Sequence, residues 1–308
     1  MKNLLVNVLV FAVLISVSAG CSGKKGSSGK KNNIPQQIQK LQSASAVDRA
    51  TKLPPLAVRL AEETKDIPGA KRVMEDAMKA CAEIEAPADK CEGYSKVAEC
   101  YGKLNEKSNA KRALKQAKEA IGQLPEGTDP ETLISLYAKV AKAQASMNEL
   151  QDAEETLMNA LAEVEKIELP GSRIRPLSDV FTVFCEIKAA EGQKKTLEVI
   201  HKLVDEVEDK GLKSGYLART AAIQFQTDLM EAGEKTFAEA EKYADEIESL
   251  GQRALAYCEL VEVAISAKLK EVAARVLDKA NKDGEKEMDD TLRTLAREKV
   301  ADLKKKVN

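Results

Sequence analysis

The chain has 308 residues, with 48 basic and 50 acidic side chains, a net charge of −2, 44% hydrophobic residues and 4% aromatics. So much charge excludes a protein made of membrane spans, the near balance of signs argues against a dedicated nucleic-acid binder, and the hydrophobic content is too high for a disordered chain. One His and no Trp leave almost no material for His-based metal or triad chemistry, while few aromatics and much Ala point to helices packed through small side chains.

The first segment reads as an address. Met1 and Lys2 precede an apolar run from Leu4 to Val17, interrupted only by Asn7, and Ser18-Ala19-Gly20 supply small residues before Cys21. This is the three-part plan of a secretory signal, short for a membrane span. Ser18-Ala19-Gly20-Cys21 resembles a bacterial lipobox, with Ser18 at the position where that pattern usually has Leu. The resemblance implies a signal over residues 1–20, a lipidated Cys21, and localisation as an exported protein anchored to the bacterial membrane. Ser22 after the lipid-bearing Cys, rather than Asp, resembles proteins sent to the outer membrane in two-membrane bacteria.

Residues 21–50 are read as lipidated Cys, tether and a short leading helix. The tether SGKKGSSGKKNN over residues 22–33 contains no apolar side chain and spans about 20 Å as a coil. Lys24, Lys25, Lys30 and Lys31 are available to anionic headgroups or serve simply as solubilising charge. A phosphate loop is excluded here: the glycine spacing is wrong, Lys31 occupies the Ser/Thr position and no strand precedes. All 50 acidic residues lie beyond this segment, so a basic leash carries an acidic body. Ile34, Ile38 and Leu41 predict the leading helix.

The body, residues 51–290, is an internal repeat. Met74, Leu114, Leu157, Leu197, Phe237 and Leu277 recur at about 40 residues in matching contexts. Three residues on stand Ala77, Ala117, Ala160, Ile200, Ala240 and Ala280; seventeen before stand Ala57, Val97, Val140, Val180, Thr220 and Leu260. Each unit predicts two helices: Tyr94, Val97, Ala98 and Tyr101 share one face, and Ala110, Ala113, Leu114, Ala117 and Ile121 share another after a polar turn. Breakers such as Pro87, Pro125, Pro130, Pro170, Gly211 and Gly251 separate units. No alternating β-branched run competes. The fold expected is all-α, an αα-hairpin repeat solenoid of six units with a capping helix over residues 291–308, apolar at Leu292, Leu295, Val300 and Leu303.

The second unit resembles a tetratricopeptide repeat, carried by Tyr94-x-x-Val97-Ala98-x-x-Tyr101 followed by Ala110-x-x-x-Leu114-x-x-Ala117. The other units keep less, since Gln144, Phe184, Gln224 and Ala264 replace Tyr101, and the period exceeds the family's usual length. The resemblance implies a concave groove lined by first helices that binds peptides or protein segments. It places Ser95, Glu99, Lys142, Ser178, Thr182, Arg219, Gln226 and Glu262 there. The family's carboxylate-clamp set is not reproduced, so capture of a C-terminal carboxylate is not expected.

Five cysteines remain after Cys21, without a CxxC pair. In an exporting compartment Cys81 and Cys91, flanking the turn at Ala86-Pro87, are candidates for a disulfide, with Cys100 as a rival partner and buried free thiols as the alternative. His201 sits beside Lys202 on a helix with nothing resembling a nucleophile elbow near it. Carboxylate pairs such as Glu62-Glu63 and Glu154-Glu155 read as solvated helix faces. The expected function is therefore non-enzymatic and without cofactor: a lipid-anchored adaptor for other envelope proteins or peptide segments, binding no nucleic acid. A self-associating structural protein or an accessory subunit of an enzyme complex are the alternatives.

Overall fold

The structure is a computed structural model, and it describes residues 33–307. The signal, Cys21 and the tether lie outside the described residues. Among the described residues there are fourteen helices and no strand. A short leading helix, α1 (Ile34–Leu41), is followed by six hairpins: α2 (Ala46–Thr64) with α3 (Ile67–Glu83), α4 (Pro87–Lys103) with α5 (Lys107–Ile121), α6 (Pro130–Ser146) with α7 (Leu150–Val164), α8 (Pro170–Glu186) with α9 (Ala190–Glu206), α10 (Lys210–Gln226) with α11 (Met230–Asp245), and α12 (Leu250–Ser266) with α13 (Lys270–Lys286). Helix α14 (Asp290–Val307) ends the stack. None of these helices is long and apolar enough to cross a membrane.

Local chemistry starts and stops the helices at the repeat period. Pro87, Pro130 and Pro170 open α4, α6 and α8, where a missing N–H costs nothing. Asp129, Asp209 and Ser249 accept from the backbone N–H three residues on, and Asp289 does so for Leu292, each satisfying an orphan donor. Between first and second helix of every hairpin one residue turns left-handed: Lys65, Asn105, Asn148, Lys188, Asp228 and Lys268, all with φ between 57° and 65°. In five of the six the next N–H reaches back to the carbonyl five residues earlier, as Glu106 does to Tyr101 and Leu269 to Ala264. That closure caps the first helix and reverses the chain.

The register positions are core. Met74, Ala77, Ala117, Leu157, Ala160, Ala240 and Ala280 are fully buried, as are Ala57, Val97, Val180 and Leu260. The fourth unit departs from the expected register. Gly192, Thr196 and Ile200 are its buried stripe, because the ring of Phe184 lies across Gly192 where any Cβ would collide. Leu197 is thereby turned to a small separate cluster with Phe181, Cys185 and Ile223. The repeat body begins at Ala46 rather than residue 51, and α1 seals its first hairpin through Ile34 against Leu56 and Leu60. In α14 the core residues are Ala296, Val300 and Leu303. Leu295, expected in that core, is exposed.

The Cys81–Cys91 bridge is not formed. Both are free and buried, like Cys100, Cys185 and Cys258. Cys81 Sγ packs toward Gly93, while Cys91 Sγ lies 3.9 Å from Ser95 Oγ one turn along its own helix. Burial pushes the Cys81 thiol up to about 12 and the Cys91 thiol up to about 11, so neither offers the thiolate that disulfide exchange needs.

Each first helix packs on the next first helix all along the stack, whereas among second helices only α7 and α9 approach closely. First helices therefore crowd on the inside of a curved stack and second helices fan out. Long charged side chains bridge the widening gaps outside: Lys71 to Glu106, Lys111 to Glu149 at 3.0 Å, and Lys279 to Glu241 at 2.9 Å.

Candidate functional site

A first helix is buried by its own second helix and by first helices on either side. What remains open is one narrow stripe on the inside of the curve. On α8 it is Arg175, Asp179, Thr182 and Glu186; on α10, Gly215, Arg219, Ala222 and Gln226; on α12, Leu255, Glu259, Glu262 and Ser266. The steps of three and four residues are those of one helical face. Side by side these stripes make a continuous concave surface.

Six of the expected groove residues lie on this stripe: Glu99, Lys142, Thr182, Arg219, Gln226 and Glu262. Ser95 and Ser178 do not. They are 1% and 3% exposed, packed between neighbouring first helices. A small hydroxyl is tolerated there because it is satisfied locally, as when Ser178 donates to the Ile174 carbonyl at 2.7 Å. His201 is exposed on α9, a second helix, away from the stripe.

The structure adds residues that sequence reasoning passed over. Lys139, Asp179, Arg219, Glu259 and Lys299 occupy the same place on α6, α8, α10, α12 and α14, separated by 40 residues each time. Their signs alternate. The signal was the repeat period itself, applied to the open face rather than the core. At the α4 end the groove closes on itself by ion pairs: Lys139 to Glu92 at 2.8 Å, Lys142 to Glu186 at 3.4 Å, and Lys96 to Glu99 at 2.8 Å. Burial works against the Glu99 carboxylate, but Lys96 and Lys103 together hold it below its ordinary value. The Lys139–Glu92 pair borders a polar depression of about 430 Å³ that runs across α4, α6 and α8, lined in part also by Ser135, Arg175 and Asp179.

The rest of the ladder is unpaired. Among the described residues Asp179, Arg219, Glu259 and Lys299 make no ion pair within 4 Å and no side-chain hydrogen bond. Burial pushes the Asp179 carboxyl up against the pull of Arg219, Arg175, Lys142 and Lys139. Burial also raises Glu259 to about 7, opposed by Lys299 and reinforced by Glu262. Glu259 is thus half-buried without an ion-pair partner, and Asp179, though open to solvent, is likewise raised.

The fold and this face define an αα-hairpin repeat protein with an open concave surface. Neither a family model nor a curated protein matches the chain. Solved structures do. One is Ton1535 from Thermococcus onnurineus NA1, at 14% identity over 87% of this chain and 98% of that chain, with a TM-score of 0.34. Another is a signal transduction ATPase with numerous domains from Pyrococcus horikoshii, described as having a tetratricopeptide repeat sensor. It is 20% identical over 88% of this chain and 44% of that chain, with a TM-score of 0.37. Identities and scores this low carry no functional argument.

Proposed function

We propose that this chain is a lipid-anchored scaffold of the bacterial envelope that holds extended segments of other proteins in its concave groove. One observation carries the reading: the inside face keeps charges without ion-pair partners at one register position on α8, α10, α12 and α14, and burial raises both carboxyls among them, Asp179 and Glu259. A surface selected only for solubility has no reason to hold carboxyls where burial raises them. Anchoring through Cys21, export by residues 1–20 and an outer-membrane destination rest on the lipobox resemblance and belong to the same proposal.

The test is photo-crosslinking in the native host, using the full chain with a photoreactive amino acid at Arg219 or Glu262 in the groove, and at Glu198 or Lys282 on the outer helices. Adducts to envelope proteins from the groove positions alone are expected. Adducts only between copies of the chain would move the assignment to a self-associating structural protein. Labelling by a clickable fatty acid that disappears in Cys21→Ala checks the anchor; labelling that persists in the variant removes it.

A further inference from the structure

The unpaired ladder specifies more than a peptide in general. Packed helices sit about 8–10 Å apart, so successive rungs recur at that distance along the groove. An extended chain advances about 3.1–3.4 Å per residue, so about three ligand residues separate one rung from the next. A β-strand turns residues three apart to opposite faces. A polyproline II segment returns the same face every three residues, rising about 9 Å per turn, and so matches both the spacing and the side.

We propose that the groove from α8 to α14 takes one extended, polyproline-II-like segment whose charges alternate in sign at every third residue: a base against Asp179, an acid against Arg219, a base against Glu259 and an acid against Lys299. This rests on the groove-binding reading above and names the chemistry of its occupant. The alternation excludes polybasic and polyacidic segments, which would meet a like charge at every second rung, and like-charge juxtaposition is a strong rejection device. Beside the Arg219 and Glu259 rungs the open stripes also carry the small or apolar Gly215, Ala222 and Leu255, while Arg175, Glu186 and Glu262 stand open one or two turns from the rungs on α8 and α12. Uncharged Pro and Ala between the ligand's charged positions suit the small and apolar part of this face and leave the rungs as its charge contacts. Leu295, exposed in line with Leu255 on α14, favours an apolar residue next to the last acid.

The test uses the full chain and synthetic peptides of about twelve residues in a Pro/Ala background, a length set by four rungs at about three residues each. Lys and Glu alternate at every third position in the matched peptide. Two isomers of identical composition carry them at every second or every fourth position, and two more peptides carry a single sign. Fluorescence anisotropy is expected to show the matched peptide binding about tenfold or more tighter than either isomer, with the difference shrinking as salt rises. Arg219→Glu is expected to weaken it by a similar factor, and a peptide with Lys in place of the facing Glu to restore it. Arg219 is exposed, so the fold is not at stake, and Glu259→Lys with the opposite swap provides a second reading. Equal affinity for all isomers, or failure of both swaps, overturns the ladder. The groove reading itself is judged separately, by the crosslinks from Arg219 and Glu262 in cells.

Discussion

Leu169 stands where the helices at the same place in the repeat register, α6, α10, α12 and α14, carry a capping side chain. Asp129, Asp209, Ser249 and Asp289 occupy the equivalent position, each accepting a backbone N–H of the helix it starts. Leu169 precedes α8 with no side-chain cap and is 69% exposed. Its backbone, φ −82° and ψ 117°, nearly matches that of Asp209, φ −66° and ψ 118°. Leu169→Asp is therefore expected to stabilise the protein by about 1 kcal/mol, adding a capping bond and a favourable charge at the helix N-terminus. An unchanged or lower urea midpoint would sink the register argument at this position. Glu259 gives a prediction of opposite kind. Its carboxyl rises from 4.5 to about 7 on folding, chiefly through burial. The native state then binds the proton more readily than the unfolded chain, so stability falls as pH rises from about 4.5 to 7 and stays reduced above. Glu259→Gln removes that loss. Its melting temperature should exceed the wild type's at pH 8, and the gap should close toward pH 4. A gap of constant size across this range would show that the carboxyl is not titrating where its burial places it. Neither residue stood out in the sequence, because a missing cap and a desolvated charge are visible only against the neighbours that the fold supplies.

At the scale of helices, the small residues of the second helices set how closely each hairpin closes. Ala117 on α5 is fully buried. Ala117→Leu is expected to cost about 1–3 kcal/mol, since overpacking forces rotamers or backbone to shift. A thermal transition at the wild-type temperature would mean that α4 and α5 do not cross there. This much was legible from spacing alone, as were both helices of every unit, since six copies average out local noise. Other element-level devices were not. Arg173, Arg253 and Arg293 each reach back from the start of a first helix to a carbonyl just beyond the preceding second helix, at 2.7, 3.1 and 3.3 Å. Arg253 also binds Asp283 at 2.6 Å. They clamp one unit to the next, yet in sequence they are three Arg among many charges. The left-handed turns were equally silent, because Lys65, Lys188 and Lys268 hold a conformation usually signalled by Gly or Asn. Ser95 and Ser178 misled in the other direction: their register on first helices placed them in the groove, but first helices are enclosed on three sides, and only a stripe of every third or fourth residue escapes.

Across the molecule, most of the core among the described residues divides into two large apolar bodies. One runs from Ala50 to Met147 and the other from Ile134 to Leu303. They meet inside α6, which turns Leu136, Val140 and Ala143 to the first body and Ile134, Ala138 and Ala141 to the second. The longest inter-unit loop, carrying Gly127 at φ 79°, lies just before this helix. In a stack where each unit touches only its neighbours, cooperativity is no stronger than the weakest interface. The joint is held by the close approach of α4 to α6, and Gly102 makes that approach possible: a Cβ there would fall 2.1 Å from Ser146 Oγ and 2.9 Å from the Ser146 carbonyl oxygen. The side chain could rotate away, but the carbonyl belongs to the backbone and cannot. Gly102→Val is therefore expected to push α6 off α4 and uncouple the halves while leaving each hairpin intact. Hydrogen exchange read by mass spectrometry along a urea series should then give two midpoints, one for peptides before Gly127 and one for those after Met147. The wild type should give a single midpoint. If the variant still loses protection in one step throughout, cooperativity does not pass through the α4–α6 contact, and the coupling of the two bodies must run instead through α5 and the loop that follows it.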